Sequence, residues 1–350
     1  MKKPRLILHI GTHKTGTTGI QRFCAAHREA LLREGILYPS YALIGEREHY
    51  AHHGVAHGLS GNDPDWPVEK VKRFLKEVAT QCPQDGLVLL SAEPFYRHLI
   101  IRGKRKAAYL DDRDYWQVRR CFIEVVAAAF GDFEVEVVVV FRKQPAYFDL
   151  LYQEIVKATR FTGTPFEYYL MKRNELNYFD QMNTWGELFP NIRVLLFEEL
   201  LKQNNLVGDF LTATTGKTLA FPAVASKWNS NLHPLVIETK RRFNALPPGA
   251  AHAKPSAAIV KALQEVQKYG LSKGVISDAP RFTYLTPNEV RLVGSCCRTS
   301  NSLLRRRFFP DGSLELEQPP QEAIRIDAGD ARYGKAIKLL LAKLQKVLSR

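Results

Sequence analysis

Residues 5–22, RLILHIGTHKTGTTGIQR, constrain the fold of this chain more than any other stretch. Leu6, Ile7, Leu8 and Ile10 form a short apolar run of strand-forming residues, suited to a strand buried on both faces of a parallel sheet. Gly11 breaks the run, and a string of small and hydroxyl-bearing residues follows. From Thr17 or Thr18 the spacing turns helical, with Ile20, Phe23, Cys24, His27 and Leu31 on one face. A strand, a glycine-bearing loop and a helix in that order aim several backbone N–H groups and one helix N-terminus at a single anion, usually a phosphate.

Gly11 and Gly16 stand five apart, the spacing of a Walker A loop. The position after the second glycine, where that loop carries lysine, holds Thr17; the lysine lies inside the loop, at Lys14. A nucleoside triphosphatase needs its lysine on the β/γ-phosphates and a hydroxyl on Mg²⁺. A lysine in mid-loop sits instead over the bridging oxygen of a shorter anion. The stretch His13-Lys14-Thr15-Gly16-Thr17-Thr18 resembles the 5′-phosphosulfate-binding loop of sulfotransferases that use 3′-phosphoadenosine 5′-phosphosulfate (PAPS). The resemblance implies that Gly11, Thr12, His13, Lys14, Thr15, Gly16, Thr17 and Thr18 bind this co-substrate. Amides from Thr12 to Thr18 and the hydroxyls of Thr17 and Thr18 would hold the 5′-phosphate, and Lys14 would stabilise charge on the leaving group without a divalent metal.

A second stretch carries the same resemblance. Val135 to Phe141, VEVVVVF, is the strongest strand in the sequence and ends at Arg142. In the sulfotransferase pattern an arginine at a strand end, followed eight residues later by a serine, clamps the 3′-phosphate. Arg142 matches the arginine, and arginine suits planar recognition of phosphate. The serine position is Leu150, which makes no hydrogen bond, so Tyr147, Tyr152 or a later lysine takes its place or the affinity is reduced. Lys227, in KWNSNL, is a further candidate to reach the nucleotide.

The base that accepts the acceptor's proton is, in such enzymes, a histidine or glutamate near the strand edges. Leu87-Val88-Leu89-Leu90 reads as a buried strand running into Ser91-Ala92-Glu93, which puts a carboxylate where parallel sheets hold their ligands. Residues 40–66 read as an irregular loop containing His49, His52, His53 and His57. His52 and His53, with His49 close behind, compete with Glu93 for the role, and the sequence leaves that choice open. The histidines have no carboxylate or cysteine beside them at a metal-ligand spacing, so no metal site is expected.

The chain has 350 residues, 45 % of them hydrophobic, enough for a large α/β domain with an appendage. The resemblance implies a P-loop-like three-layer α/β fold: a central parallel sheet of about five strands flanked by helices, and a helical C-terminal part. The expected divisions are a PAPS-binding core at 1–225, a helical extension at 226–309, and a loop with a basic amphipathic helix at 310–350. Helices are expected at 67–82, 115–130, 165–189, near 206–214, and at 233–245, 255–269 and 287–307. Thr286-Pro287-Asn288-Glu289 reads as a capping box opening the last of these. In Gly334–Arg350, Ile337, Leu340, Leu341, Leu344 and Leu348 share one side, with Lys335, Lys338, Lys343 and Lys346 nearby. Such a helix either touches an anionic membrane or packs on its own protein.

The net charge of +14 favours anionic partners. There is no helix-turn-helix, zinc-finger or RNA-binding aromatic signature, so no nucleic-acid partner is expected. No apolar run approaches the ~20 residues of a membrane span, and no signal-peptide core precedes Gly11. Five cysteines, an odd number, favour free thiols in a reducing compartment. A cytoplasmic protein is expected, with peripheral placement on the inner membrane face left open. The resemblance implies transfer of a sulfuryl group from PAPS to a hydroxyl or amine, and a bacterial saccharide or glycolipid is the expected acceptor. Two readings compete with it. A P-loop kinase of a small molecule is opposed by Thr17 in the lysine position, and a nucleotide-binding or membrane-associated scaffold without catalysis is compatible with Leu150 and the basic C-terminal helix.

Overall fold

A computed structural model describes residues 2–61, 63–101, 110–219, 232–277, 282–310, 316, 324–325 and 331–349. In chain order the elements are β1 (Arg5–Gly11), α1 (Thr17–Ala26), α2 (Arg28–Arg33), β2 (Ile36–Leu37), α3 (His53–Ser60), α4 (Val68–Gln81), β3 (Leu87–Ser91), α5 (Pro94–Arg97), α6 (Asp112–Ala129) and β4 (Glu134–Phe141). There follow α7 (Gln144–Ala158), α8 (Pro165–Leu176), α9 (Tyr178–Gly186), β5 (Asn191–Leu196), α10 (Phe197–Leu200), α11 (Leu206–Thr215), α12 (Pro234–Asn244), α13 (Ser256–Ser272), β6 (Phe282–Thr283), α14 (Pro287–Phe308), β7 (Ile324–Arg325) and α15 (Ala331–Leu348).

The chain divides into two compact units. The first comprises 1–142, 177–228 and 300–314, and the second 143–176, 229–299 and 315–350. Residues 143–176, expected from sequence inside the sheet domain, group with the later helices because α7 packs against α12 and α13. The expected boundary at 225 and the candidate Lys227 lie outside the described residues, as does most of 310–330.

The first unit is built on a five-stranded sheet of order β2-β3-β1-β4-β5, parallel throughout. Its strands are apolar runs because both faces are covered. On one face Ile7, Leu89, Val138 and Val140 pack with Ile20, Phe23 and Cys24 of α1 and with Phe210 and Leu211 of α11. On the other, Phe141 stacks on Tyr178 of α9 at 3.9 Å between ring centroids and meets the edge of Tyr96 of α5 at 5.9 Å. The α/β architecture expected from the sequence is the one observed. Because every strand runs the same way, the segments after β1, β3 and β4 leave the sheet at one common edge, where a parallel sheet holds its ligands. A cleft of about 370 Å³ lined by Arg5, Glu134, Glu136 and Asn191 opens at the opposite, amino-terminal edge.

Two local expectations change. The helical spacing read from Thr17 or Thr18 through Leu31 is two helices, α1 and α2, separated by a non-helical His27 at φ −116°, ψ 27°. The stretch expected as irregular, 40–66, contains a 3₁₀ turn at Tyr41–Ile44 and the helix α3. Gly54 and Gly58 disguise that helix in the sequence, since glycine weakens a helix interior by roughly 1 kcal/mol. Both are needed for packing. A Cβ on Gly54 would lie 2.3 Å from the Trp66 ring, and one on Gly58 would lie 2.4 Å from the Trp66 carbonyl oxygen.

The second unit is mostly helical, with a small parallel pairing of β6 and β7. Asp149 of α7 is buried and accepts the Tyr284 amide at 2.9 Å. The capping box at α14 is present: the Thr286 hydroxyl accepts the Glu289 amide at 3.1 Å, and the Glu289 carboxylate accepts the Thr286 amide at 2.6 Å. In α15, Ile337, Leu340, Leu344 and Leu348 are buried, and the helix packs on α12 and α13. Among the described residues no helix is long and apolar enough to cross a membrane.

Candidate active site

The loop after β1 is fastened at its start and left open at its end. Thr12 bonds the Val140 carbonyl through both its amide and its hydroxyl, each at 3.0 Å, which ties the loop to β4. Thr15 closes the turn by donating its hydroxyl to the Thr12 carbonyl at 2.7 Å. Gly11 and Gly16 have φ of +100° and +73°, the left-handed region that favours glycine. A Cβ on Gly16 would lie 2.2 Å from Leu206 Cδ2, so the position has no room for one. A Cβ on Gly11 would press on Glu93 at 3.1 Å, so this glycine lets the carboxylate-bearing segment approach.

Lys14 is also left-handed, at φ 64°, an unfavourable setting for a residue with a Cβ. Arg142 braces it. Its Nη1 donates to the Lys14 carbonyl at 2.9 Å, and its guanidinium lies over the Phe197 ring, 4.8 Å from the centroid. The helix α1 begins at Thr17 with no acidic residue in its first turn. The amides of Thr17 and Thr18 have no carbonyl behind them, as in any first helical turn. The result is a helix N-terminus suited to an anion.

Beside it stands Glu93, which follows β3 and leads into Pro94, the N1 residue of α5. Glu93 is buried, its side chain 7 % exposed. The Thr17 hydroxyl donates to one carboxylate oxygen. The other accepts from Gln21 Nε2 at 3.0 Å and pairs with His53 Nε2 at 2.7 Å. Burial pushes the Glu93 carboxyl up. The His53 hydrogen bond, the neighbouring imidazoles of His13 and His53, and the Thr17 hydroxyl outweigh burial and hold it well below the usual carboxylate range. An ionised carboxylate only accepts, so His53 carries its proton on Nε2 and, when neutral, leaves the Nδ1 lone pair available. The His53 side chain is 31 % exposed, which keeps the ring within reach of solvent and substrate.

The adjacent histidine is placed quite differently. His52 Nδ1 accepts the Ser91 amide at 3.0 Å, and its Nε2 donates to the Pro39 carbonyl at 3.0 Å. Both ring nitrogens are engaged by backbone, and burial lowers the imidazole to about 3. His52 is therefore a neutral stitch between Pro39 and the end of β3, and only His53 of the pair meets Glu93. His49 is bonded to its own segment, sharing Nδ1 with Ala51. His57 Nδ1 and His98 Nε2 are 2.8 Å apart, and burial lowers both, His98 to about 3. Partly buried His13, in the loop itself, is lowered to about 3 by burial, with the Arg97 charge adding to the effect. Among the described residues no group of three or more histidine, cysteine or carboxylate side chains is arranged to hold a metal ion.

Three residues of the site escaped the sequence reading. Gln21 stands four residues after Thr17, one helical turn on, so the two reach the same carboxylate. Its Nε2 also donates to Ser91 Oγ at 3.1 Å, and that hydroxyl lies 2.9 Å from Nδ1 of the buried His9. The i, i+4 spacing of Thr17 and Gln21 was visible, but which strand end faced them was not. The Thr17 hydroxyl, expected to hold phosphate, donates here to Glu93, as the Thr12 and Thr15 hydroxyls donate to backbone carbonyls. Leu150, on α7, belongs to the second unit.

No protein-family model matches the chain, and no curated protein is similar to it in sequence. Among solved structures, the crystal structure of a sulfotransferase from Alicyclobacillus acidocaldarius resembles it at 12 % sequence identity and a TM-score of 0.41, covering 87 % of this chain and 96 % of that one. So loose a likeness carries no argument about activity, and the chemistry of the site follows from its own residues.

Proposed function

We propose that this chain is a sulfotransferase that moves a sulfuryl group from PAPS to a hydroxyl or amine. The observation that carries the reading is a convergence at one sheet edge. Lys14 lies in the loop that leads into the N-terminus of α1, and Thr17, the first residue of that helix, donates its hydroxyl to the carboxylate that pairs with His53. PAPS would supply the activated sulfuryl group and an adenylate leaving group. The amides of Thr17 and Thr18 and the Thr18 hydroxyl would hold the 5′-phosphate. Lys14 would neutralise charge growing at the leaving oxygen, so the step calls for no divalent metal. His53 would take the acceptor's proton on Nδ1 while Glu93 fixes the ring and stabilises the imidazolium. Glu93, held ionised by three donors, acts in this reading as the orienting partner and not as the base. Arg142 remains the candidate for the 3′-phosphate while also bracing Lys14.

The acceptor we propose is a saccharide or glycolipid. Its support is the chain's net charge of +14, which suits anionic carbohydrate. The test is titration calorimetry with 3′-phosphoadenosine 5′-phosphate and, separately, with ATP and Mg²⁺. Binding of the former that Lys14→Ala weakens supports the reading. Binding of ATP with Mg²⁺ alone would make the chain a kinase candidate instead.

A further inference from the structure

We infer that the outer face of α13 and α15, in the second unit, is a docking surface for an anionic lipid membrane. The amphipathic pattern of α15 offers two ways to meet a membrane, and the structure removes one. Ile337, Leu340, Leu344 and Leu348 are buried against the protein, so the apolar side cannot insert. What faces outward is a stripe about a third of the helix wide, at the spacing of one helical face, carrying Lys335, Lys338 and Lys346. Leu339 sits among these lysines at 43 % exposure. Exposed Lys261 and Lys268 of α13 add to the charge.

The acidic complement is already taken. Glu265 is the one carboxylate in the sequences of the two helices, and it pairs with Lys343 at 3.0 Å, joining α13 to α15. The other lysines have no carboxylate of these two helices to pair with. Their composition chooses the occupant. Lysine is a strongly hydrated point charge, whereas nucleic-acid surfaces favour arginine forks and aromatic platforms. Among the residues of α13 and α15 whose side chains are described there is no arginine, and the two tyrosines, Tyr269 and Tyr333, are only partly exposed. A row of lysines around a single exposed leucine suits a headgroup layer, with the charges at the lipid phosphates. Attachment of this kind is electrostatic, and salt screens it.

The test is co-sedimentation of the full chain with extruded vesicles of phosphatidylglycerol and phosphatidylcholine, about 3:7, at about 50 mM and about 500 mM salt. Binding at low salt that is lost at high salt and absent on pure phosphatidylcholine is expected. Lys335→Glu, Lys338→Glu and Lys346→Glu together should cut binding at least about tenfold, since each lysine at a charged surface contributes separately. Lys72→Glu, Arg73→Glu and Lys76→Glu on α4 change the net charge equally and should cost less than about twofold. If circular dichroism shows the first triple variant unfolded, its glutamine counterpart carries the same test. Equal binding to uncharged vesicles, or an equal loss in the α4 variant, overturns the inference. Retention on duplex DNA without vesicle binding also overturns it and gives the face to nucleic acid.

Discussion

The loop of residues 11–18 is held largely by left-handed backbone angles and by bonds to backbone carbonyls, whereas His53 is delivered by side chains packed on side chains. In the loop, two glycines take left-handed angles and Thr12 and Thr15 bond backbone carbonyls. In the histidine segment, a glycine face of α3 lies on Trp66, Trp66 lies on Tyr41 at 4.2 Å between ring centroids, and His52 pins the start of the helix to Pro39 and Ser91. Both regions end on the same carboxylate, Glu93. The difference teaches that a local device announces itself in a short motif, while a packed device is spread over residues whose meaning depends on one another.

The largest effect should come from Lys14→Ala. Donor turnover should fall by roughly a thousandfold or more, with the unfolding midpoint nearly unchanged, because the side chain acts on developing charge. Wild-type turnover in that variant would move the chemistry out of the loop. The histidine segment is broken most cleanly by contrasting neighbours. His53→Gln should lower kcat by ~10²–10⁴ and leave stability close to wild type. His52→Gln should do the reverse, costing ~1–3 kcal/mol in urea unfolding through lost buried hydrogen bonds while the folded enzyme keeps its kcat. Equal kinetic losses in the two variants would erase the distinction drawn between them.

Gly16→Ala tests whether the loop is as locally determined as it looks. It places a Cβ against Leu206 at a positive φ, and should cost ~1–3 kcal/mol and weaken donor binding. A neutral result would mean that Leu206 moves freely. The smallest effect concerns pH. His52 titrates near 3 in the folded chain and near 6.5 unfolded, so between these values the unfolded state binds the extra proton. Stability then rises with pH across that window and is lost as pH falls through it. His52→Gln should therefore flatten the slope of unfolding free energy between about pH 4 and 6 by ~1.4 kcal/mol per pH unit.

Much of the site could be read from the chain alone, and the exceptions have physical reasons. Lys14, the paired glycines and the threonines could be singled out as candidates because a strand–loop–helix turn spans only about a dozen consecutive residues. Glu93 was legible because the end of a buried parallel strand is a position defined by sequence. The choice between His52 and His53 was not. Neighbours in a sequence point in different directions, and which of them faces Glu93 depends on how α3 sits on Trp66. Gln21 and Ser91 were hidden for the same reason, since their partnership joins a helix to a strand 70 residues away.

What the sequence determined by itself was the periodic and the local: apolar runs for β1, β3 and β4, a glycine loop opening a helix, a capping box on α14, and an apolar stripe on α15. These follow from interactions within a few residues of one another. Only the tertiary structure decided that Glu93 is an ionised partner of His53, that Arg142 braces Lys14, and that the apolar stripe of α15 is covered while its lysines face out. Each of those depends on groups brought together from distant parts of the chain. Burial and electrostatic field at a point are properties of the packed molecule, and no single segment carries them.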